Sequence, residues 1–335
     1  MIYNSFDNPG LVKVLTFLQT HNTEYLSGQD LSDVLRISRV AVWKHIKKIQ
    51  ELGYEVESKQ KSGYKLLANS DLLLPWEITS NLKTKIIGKQ AYYFDSIDST
   101  QNQALKMAHD PANNGAVIVA SKQTGGRGRS GRQWISPKGG IWISIILQPK
   151  FDISITTLFP IASALALSIA IEKTFSITPE LKWPNDLTLN GKKVAGMLVD
   201  VSLESNKIES LVLGVGINFN VNTKEIEKNL KGTPNFYGVT SLSEQKVDVK
   251  PIHLVQTFLV ELEKIYKALN AKQIKKIISE WSKRSSTIGK NVELNTTDEK
   301  IKGKAIRIDE DGALVILDKG KTCRVIAGDV IHLSK

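Results

Sequence analysis

The sequence predicts a multidomain α+β protein with an N-terminal winged helix-turn-helix domain, a central mixed α/β domain and a small C-terminal β-barrel. Length is one reason, because 335 residues exceed what a single small core can bury. The order of local patterns is another. Residues 1–70 show helix patterns and then a hairpin pattern, residues 71–285 alternate strand and helix patterns, and residues 286–335 hold short, closely spaced strand patterns.

The N-terminal unit begins with apolar residues at helical spacing. A second helix starts at the Ser27–Asp30 capping pattern, and its apolar residues are expected to face inward. Those residues are Leu31, Val34 and Leu35. After a short turn, Ser38 caps a third helix that stops at Gly53. Residues 54–67 then alternate weakly around a polar tip, which indicates two strands and a loop.

The third helix has an apolar face and a basic face. Between Arg36 and Lys48 there are five Lys or Arg residues and no acidic residue. A short helix, a tight turn and a basic second helix predict a DNA-binding helix-turn-helix. The expected DNA-contacting residues are Ser38, Arg39, Val40, Trp43, Lys44 and Lys47. The alternative is a merely solvated basic face, and a tryptophan among the lysines counts against it.

In the central unit, strands are expected at residues 116–121, 141–147, 187–189, 194–201 and 211–217. Asn190-Gly191 is a hairpin signal between two of them. Helices are expected at 158–174, 252–270 and near 273–284. In the C-terminal unit, strand patterns at 292–294, 301–308, 313–317, 323–327 and 330–333 predict the small barrel.

Composition restricts the kind of protein. An apolar fraction of 41% and a charged fraction of 24% are those of a globular protein, and no run approaches the ~20 apolar residues of a membrane span. One cysteine, Cys323, excludes an internal disulfide and favours a reducing compartment. The N-terminus lacks a signal pattern, so we expect a cytoplasmic protein without a membrane partner. A net charge of +11 favours an anionic partner.

A segment rich in glycine and arginine, Gly125–Arg132, is the strongest chemical signal. It contains the spacing G-x-G-x-x-G, but a turn pattern follows where a dinucleotide-binding loop needs a helix. Glycines let a ligand approach the backbone, and arginines offer paired donors to carboxylate or phosphate. The segment therefore predicts a site for an anionic, phosphate-bearing ligand. A flexible RNA-binding loop is the alternative, and the apolar strands on both sides count against it.

Three further segments carry weaker signals. Asp98–Asn102 has the pattern of a helix N-cap. Lys182 ends a strand before Trp-Pro-Asn-Asp186, so its ammonium is expected to reach a pocket at the sheet edge. Gly214–Asn218 ends a strand with two glycines, where a backbone can lie close to a ligand.

Taken in order, these motifs resemble those of the bacterial bifunctional biotin–protein ligases and biotin-operon repressors. The matching motifs are Asp98-Ser-Thr, Gln123-x-x-Gly-Arg-Gly-Arg-x-Gly-Arg132, Lys182-Trp-Pro-Asn-Asp186, Lys193-x-Ala-Gly196 and Gly214-x-Gly-Ile-Asn218. The resemblance spans the chain. It implies a central ligase domain with a class II synthetase-like sheet and helices, and an SH3-like barrel at the C-terminal end.

The resemblance also implies roles for individual residues. The implied catalytic residues are Arg129 and Lys182. The implied biotin-binding residues are Ser99, Thr100, Gln123, Arg127, Arg129, Lys182 and Gly196. The implied ATP- or adenylate-binding residues are Arg127, Arg129, Arg132, Trp134, Lys182 and Asn218. No metal ligand is implied. Two positions depart from the family: Gln101 stands where Asn is frequent, and Ser130 stands where a second basic residue occurs.

The implied activity is ATP-dependent and AMP-forming, with Mg²⁺ accompanying ATP. Biotin and ATP form biotinyl-5′-AMP, and the biotinyl group passes to a lysine of a biotin carboxyl carrier domain of a carboxylase. The adenylate is also the implied corepressor, which promotes a homodimer that binds operator DNA. Three alternatives stay open: a ligase whose winged helix regulates nothing, a lipoate or other acyl ligase, and a non-catalytic transcription factor that senses an effector.

Overall fold

The computed structural model describes residues 2–4, 8–233, 236–246, 248–295 and 300–333. The helices are α1 (Pro9–Thr20), α2 (Gly28–Leu35), α3 (Arg39–Glu51), α4 (Pro75–Thr79), α5 (Thr100–Met107), α6 (Phe159–Phe175), α7 (Thr223–Leu230), α8 (Pro251–Asn270) and α9 (Ile274–Lys283). The strands are β1 (Ile2–Asn4), β2 (Glu55–Lys59), β3 (Gly63–Ala68), β4 (Ala91–Phe94), β5 (Val117–Ala120), β6 (Ile141–Leu147), β7 (Glu180–Lys182), β8 (Asp186–Leu189), β9 (Lys192–Glu204), β10 (Lys207–Ile217), β11 (Asn291–Asn295), β12 (Lys300–Ile308), β13 (Leu314–Asp318), β14 (Lys321–Val325) and β15 (Asp329–His332).

An eight-stranded sheet forms the central domain, in the order β1-β4-β5-β6-β10-β9-β8-β7. Neighbouring strands are antiparallel except β4 and β5, which run parallel. Helix α6 covers one face of the sheet and is buried along most of its length, because α8 and α9 pack on its outer side. Helix α5 packs on the opposite face. Within the described part of the chain, no helix has the length and apolar character of a membrane span.

Alternation along the inner strands leaves a cleft on the α5 face. The isoleucines of β6 at 141, 143 and 145 join the core under α6, so Ser144 points to the opposite face. The same alternation on β10 places Gly214 and Gly216 on the α5 face, and on β9 it places Gly196 there. Because these residues are small, this part of the sheet leaves room for a ligand beside α5.

The N-terminal unit has the predicted helices α1, α2 and α3, followed by the predicted hairpin β2–β3. Strand β1, which the sequence did not predict, pairs with β4 at the edge of the central sheet. Tyr3 of β1 packs against Trp76 and Tyr93, with ring centroids 5.9 and 6.3 Å apart. The N-terminal unit and the edge of the central sheet therefore share an apolar core.

The expectation that Val34 faces inward is wrong, since 57% of its surface is exposed. Leu31 is fully buried, and Leu35 follows it by one helical turn and packs against the same core. At 3.6 residues per turn, Leu35 lies nearer to the direction of Leu31 than Val34 does. Val34 instead lies on the outer side of α2.

Residues of the C-terminal unit form a five-stranded antiparallel sheet in the order β14-β13-β12-β11-β15, which confirms the predicted short strands. Its apolar side chains join the core of the central domain. Trp183 Nε1 donates to the carbonyl oxygen of Gly312 at 3.0 Å, and the Trp183 amide donates to Thr287 Oγ1 at 3.1 Å. The C-terminal unit is therefore packed directly against the end of β7.

A buried carboxylate fixes the turn before β4. Glu263 of α8 accepts hydrogen bonds from the amides of Lys85, Ile86 and Ile87 at 2.8–3.0 Å and from Lys267 Nζ at 2.6 Å. Burial raises the pKa of the Glu263 carboxyl, but these donors outweigh burial and lower the pKa to about 2. The ionised group therefore stabilises the fold above pH 4.5, and this contribution is lost as the pH falls towards 2.

Glu263→Gln is expected to lower the free energy of unfolding at neutral pH by about 3 kcal/mol, because the charged acceptor is lost. The difference in free energy of unfolding between wild type and variant should decrease as the pH falls below 4.5, since the wild type then loses the contribution of the ionised carboxylate. Urea unfolding at neutral pH and at about pH 3.5 measures both effects. Glu280→Gln is the control, because the Glu280–Lys283 pair is exposed. A loss no greater than the control's would contradict the role of Glu263.

Candidate active site and DNA-facing helix

A cavity of about 210 Å³ lies in the cleft on the α5 face. Its walls come from the start of α5, the Gly/Arg segment, the ends of β7 to β10, residues within 226–233 and 236–239, and the start of β15. Every ligand-site residue named from the sequence lines it: Ser99, Thr100, Gln123, Arg127, Arg129, Arg132, Trp134, Lys182, Gly196 and Asn218. Motifs far apart in the sequence therefore meet around one cavity.

One end of the cleft is built from neutral polar groups. The Thr100 amide and hydroxyl donate to Gln123 Oε1 at 2.8 and 3.0 Å. Gln123 Nε2 donates to Ser136 Oγ at 2.9 Å. Ser99 caps α5 by accepting from two amides of its first turn, as its N-cap pattern predicts. These groups suit an uncharged polar ring, because they offer donors and acceptors without net charge.

The Gly/Arg segment folds back on itself between β5 and β6. The Gly128 amide donates to the carbonyl oxygen of Arg132 at 2.7 Å, and the Trp134 amide donates to that of Gly126 at 2.9 Å. Only a single 3₁₀ turn, Arg129–Gly131, interrupts this hairpin-like path. No helix follows the segment, which confirms that it is not a dinucleotide-binding loop of the Rossmann type.

The three arginines of this segment have different partners. Arg127 pairs with Asp200 at 2.6 Å, and Arg132 pairs with Asp329. Arg129 donates to the amide oxygen of Asn185 at 3.1 Å. Burial lowers the pKa of the Arg129 guanidinium, which nevertheless stays charged at neutral pH as arginine does in proteins. Arg129 therefore brings a positive charge into the cleft next to a neutral amide.

Lys182 ends the edge strand β7 and reaches into the cleft, as the sequence predicts. Its Nζ lies 3.3 Å from the centroid of the Tyr237 ring. Burial lowers the pKa of Lys182 to about 8, with the charge of Lys193 lowering it further and Asp186 opposing both. Lys182 is therefore a cation at neutral pH and loses its charge as the pH rises through about 8.

Asp186 brings a second lysine into the cleft. Its carboxylate accepts from Tyr237 Oη at 2.7 Å and pairs with Lys193 Nζ at 2.6 Å. The sequence motifs include Asp186 and Lys193, but sequence reasoning gave neither a role. It missed Tyr237 altogether, because residues around 237 carry no motif and only the fold brings them over the cleft.

Trp134 lies against the small residues of the sheet. A β-carbon added at Gly216 would lie 2.5 Å from Trp134 Nε1, and one added at Gly196 would lie 3.1 Å from Cζ3 of the ring. Lys193 Nζ lies 5.0 Å from the ring centroid. Asn218, buried at the end of β10, donates to the Lys193 carbonyl oxygen at 3.4 Å. This end of the cleft therefore offers an aromatic surface with a cation beside it.

The C-terminal unit also reaches the cleft. Asp329 of β15 lines it and pairs with Arg132. Burial, together with the charges of Lys182 and Lys290, lowers the pKa of His332 to about 4. His332 is therefore neutral at pH 7 and adds no charge beside Lys182. Nothing in the local sequence marks it as part of a site.

The arrangement suits an elongated ligand with a neutral polar end, an anionic middle and a planar ring. Arg129, Lys182 and Lys193 supply positive charge in the cavity that the neutral polar groups and Trp134 also line. Among the described residues, no group of three or more His, Cys, Asp or Glu side chains lies close enough to hold a metal ion. The site can bring two anions together and stabilise charge that develops between them.

The exposed face of α3 matches the face predicted to contact DNA. All six named residues are exposed, and Val40 and Trp43 expose 63% and 51% of their surface. Ser38 Oγ also accepts from the Ala41 amide at 3.1 Å, so it caps the helix. Lys44 and Lys47 lie one turn apart on this face. The hairpin β2–β3 follows α3 directly, in the position of a wing.

Family comparisons cover all three units. The model described as "Biotin/lipoate A/B protein ligase family" matches residues 93–218, "HTH domain" matches residues 11–65, and "Biotin protein ligase C terminal domain" matches residues 287–333. The three matched ranges correspond, respectively, to the central sheet, the N-terminal helices and the C-terminal sheet of the structure.

Individual relatives match over nearly the full chain. A Bacillus subtilis protein named bifunctional ligase/repressor BirA is 35% identical over 94% of this chain and 95% of its own length. The Escherichia coli protein of the same name is 28% identical, with 94% of each chain covered. A solved structure of the biotin protein ligase from Aquifex aeolicus, in complex with biotin and ATP, superposes with a TM-score of 0.61 at 28% identity. It covers 72% of this chain and 97% of that chain.

Proposed function

The chain belongs to the family of bifunctional biotin ligases and repressors, and we propose that it performs both tasks of that family. As an enzyme, it joins biotin and ATP to form biotinyl-5′-AMP and then biotinylates a lysine of a biotin carboxyl carrier domain. As a repressor, it binds operator DNA with the adenylate as corepressor. The observation that carries the proposal is the cleft in which neutral amide groups, five cationic side chains and an aromatic surface converge.

The chemistry needs positioned positive charge. An oxygen of the biotin carboxylate attacks the α-phosphorus of ATP, the bond to the β-phosphate oxygen breaks, and pyrophosphate leaves. The lysine amine of the carrier then attacks the carbonyl carbon of the mixed anhydride, so that an amide forms and AMP leaves. The first step brings two anions together, and cations lower its barrier by reducing their repulsion. A closed cleft also protects the anhydride from water.

We assign the neutral end of the cleft to biotin. Thr100 and Gln123 are held by mutual hydrogen bonds and face the cavity with Ser99. A fused urea ring is polar and uncharged, which matches these groups. Gly196 lies farther along the sheet, and we place the biotin chain and carboxylate in that direction, towards Lys182 and Arg129.

We assign the other end to the adenylate. Trp134 offers its ring to adenine, and Asn218 and Arg132 line the same cavity. Arg129 and Lys182 are the proposed catalytic cations, and Arg127 contributes to the same wall. Lys193 is a further candidate for a phosphate contact, because it lies beside both Trp134 and Asp186.

Mg²⁺ enters this scheme with ATP, as part of the substrate. Its proposed work is to bind phosphate oxygens and to reduce their charge. The cleft carboxylates Asp186 and Asp329 are each paired with a cation, as is Asp200 behind Arg127. The ion is therefore expected to be held by ATP itself.

Gly216→Ala tests the position of Trp134. The added methyl group would lie 2.5 Å from Trp134 Nε1, so the indole must move. We expect the KM for ATP to rise roughly ten- to hundredfold, because displacement of a positioning group by about 1 Å has effects of that size. The affinity for biotin should change little. Steady-state pyrophosphate release measures both. Gly28→Ala is the control, since its methyl group meets nothing closer than Tyr64 at 3.7 Å. An unchanged KM for ATP would refute the proposed adenine site.

The regulatory proposal joins the cleft to DNA binding. With the adenylate bound beneath it, the Gly/Arg segment completes a surface on which two copies form a homodimer, and the two α3 helices then contact a palindromic operator. We further propose that the C-terminal sheet is an SH3-like barrel and that the central sheet is of the class II synthetase type. Carrier protein and operator are partners in the cytoplasm, so we expect the protein to act there.

Biotin and lipoate are the substrates to compare, because the central domain matches a family that contains ligases for both. We expect biotin with MgATP to raise the melting temperature and to release pyrophosphate, whereas lipoate with MgATP does neither. Stabilisation by lipoate alone would replace the biotin assignment with the lipoate alternative. Stabilisation by biotin without pyrophosphate release would favour an effector-sensing transcription factor instead.

A further inference from the structure

The guanidinium of Arg127 is already bound by protein groups. One NH2 nitrogen lies 2.6 Å from Asp200 Oδ2, and Nε donates to Asn102 Oδ1 at 3.3 Å. Asp200 belongs to β9 and Asn102 to the first turn of α5. Arg127 therefore connects the Gly/Arg segment to two rigid elements of the central domain. A ligand anion could bind this guanidinium only by displacing a carboxylate.

Asp200 is itself held by Gln101, which is 96% buried, with 4% of its surface exposed. Gln101 Nε2 donates to Asp200 Oδ2 and to the carbonyl oxygen of Val212, both at 3.0 Å. Its Oε1 lies 2.9 Å from Ser144 Oγ, which donates to it. A β-carbon at Gly214 would lie 2.6 Å from the same Oε1, so the glycine makes space for this amide. The Gln101 side chain is therefore fixed in one orientation.

The other two arginines complete the comparison. Arg132 pairs with Asp329 of the C-terminal unit. Arg129 donates to the neutral oxygen of Asn185, and among the described residues it makes no ion pair. A carboxylate thus neutralises two of the three arginines, while the buried charge of Arg129 is left for an anion. Burial also lowers the pKa of the Arg129 guanidinium.

We propose that Arg127 is a positioning residue, and that Gln101 and Asp200 hold it so that the Gly/Arg segment stays closed over the cleft. Arg132 ties the same segment to the C-terminal unit, and Arg129 faces the ligand. Gln101, which departs from the family's frequent asparagine, thereby gains a role through Asp200. The inference deepens the proposed function and rests on it for the identity of the ligand. The contact between segment and sheet exists without any ligand.

The test uses the full chain with Arg127→Gln, Asp200→Asn and the double variant. After incubation with biotin and MgATP, each protein is separated from free ligand, and release of biotinyl-5′-AMP is followed. We expect each single variant to release the adenylate roughly two- to fivefold faster, because a partly exposed ion pair contributes up to about 1 kcal/mol. The double variant should be no faster than either single variant. In Asp200→Asn, the rate of adenylate formation at saturating substrates should change little.

A rescue pair separates positioning from general destabilisation. Gln101→Asn withdraws the amide from Asp200 by one methylene, and Asp200→Glu extends the carboxylate by one. Gln101→Asn alone should accelerate release, and the pair together should restore it. A direct contact between Arg127 and the ligand predicts a different result. Arg127→Gln would then accelerate adenylate release far more than Asp200→Asn, the effects of the two substitutions on release would add, and adenylate formation would also slow. That pattern would overturn the proposal.

Hydrogen exchange in the ligand-free protein makes the test independent of the ligand's identity. Asp200→Asn should speed amide exchange within Gly125–Arg132, while Asp95→Asn, which breaks only the exposed pair with Lys138, should not. If Asp200→Asn speeds amide exchange but the wild-type protein forms no adenylate, the positioning role stands and the proposed function is refuted. Unchanged exchange and unchanged release in Asp200→Asn would refute the positioning role.

Discussion

Replacing Lys182 by alanine is expected to slow formation of biotinyl-5′-AMP by roughly 10²- to 10³-fold, the range seen when one preorganised donor to a developing charge is removed. Lys182 is buried at the end of β7, where its ammonium lies against Tyr237 and near Asp186. Such a charge cannot be replaced by water in a closed site. Arg129→Gly should both slow adenylate formation and hasten its release. Pyrophosphate release in single-turnover experiments measures formation.

Two controls make this prediction specific. Lys192→Ala removes a neighbouring exposed lysine and should leave adenylate formation unchanged. Lys193→Ala allows the effects of the two cleft lysines on adenylate formation to be compared, because Lys193 lies closer to Trp134 than Lys182 does. In the wild type, kcat/KM for adenylate formation should also fall as the pH rises through about 8, since Lys182 then loses its proton. Normal formation and normal retention of adenylate in both Lys182→Ala and Arg129→Gly would remove these residues from the catalytic assignment.

The double variant Lys44→Glu/Lys47→Glu is expected to weaken operator binding strongly and leave ligation intact. Both lysines are exposed on α3 and no shift of the fold is needed to accommodate glutamate. Two phosphate contacts become repulsive, so binding should weaken uniformly across sequences, and the salt dependence of log K should fall by about two ion equivalents. Gel shifts at several salt concentrations, on DNA selected by the wild type with biotin and ATP, measure this.

Lys319→Glu/Lys321→Glu is the matched control, because it makes the same change in net charge at an exposed turn of the C-terminal sheet. It should leave DNA binding near the wild-type level. If the α3 variant and the control bind equally well, α3 is not the recognition helix. If the wild type itself selects no DNA, the alternative of a ligase whose winged helix regulates nothing takes the place of the repressor proposal.

The fold was predictable wherever local pattern and tertiary environment agree. Strand β6 has the predicted bounds, since seven consecutive residues, six of them apolar, are buried on both faces and leave little choice. Strand β1 was not predictable, because Ile2–Asn4 is too short to show a period and is a strand only through pairing with β4. Val34 was misassigned for a related reason: spacing alone allowed two inward positions, and packing selected Leu35.

The candidate site divides in the same way. Lys182 and Arg129 could be named from the sequence because they lie in recognisable motifs, where glycine, arginine or lysine residues stand out near strand ends. Tyr237 could not, since it sits in an unremarkable segment that only the fold carries to the cleft. The same holds for His332, which only the fold brings near Lys182. Gln101 shows the limit most clearly. Its role depends on Asp200 and Gly214, which are distant in sequence and adjacent only across the sheet.

Intact-mass analysis of a carrier domain tests the central claim most directly. A biotin carboxyl carrier domain is incubated with the full-length protein, biotin and MgATP, and its mass is compared with samples lacking ATP or containing lipoate. We expect the carrier to gain one biotinyl group only in the complete reaction, and Lys182→Ala to prevent the gain on the same timescale. A carrier whose mass stays unchanged, with wild-type protein that is folded and binds biotin, would contradict the assignment of this cleft to biotin transfer.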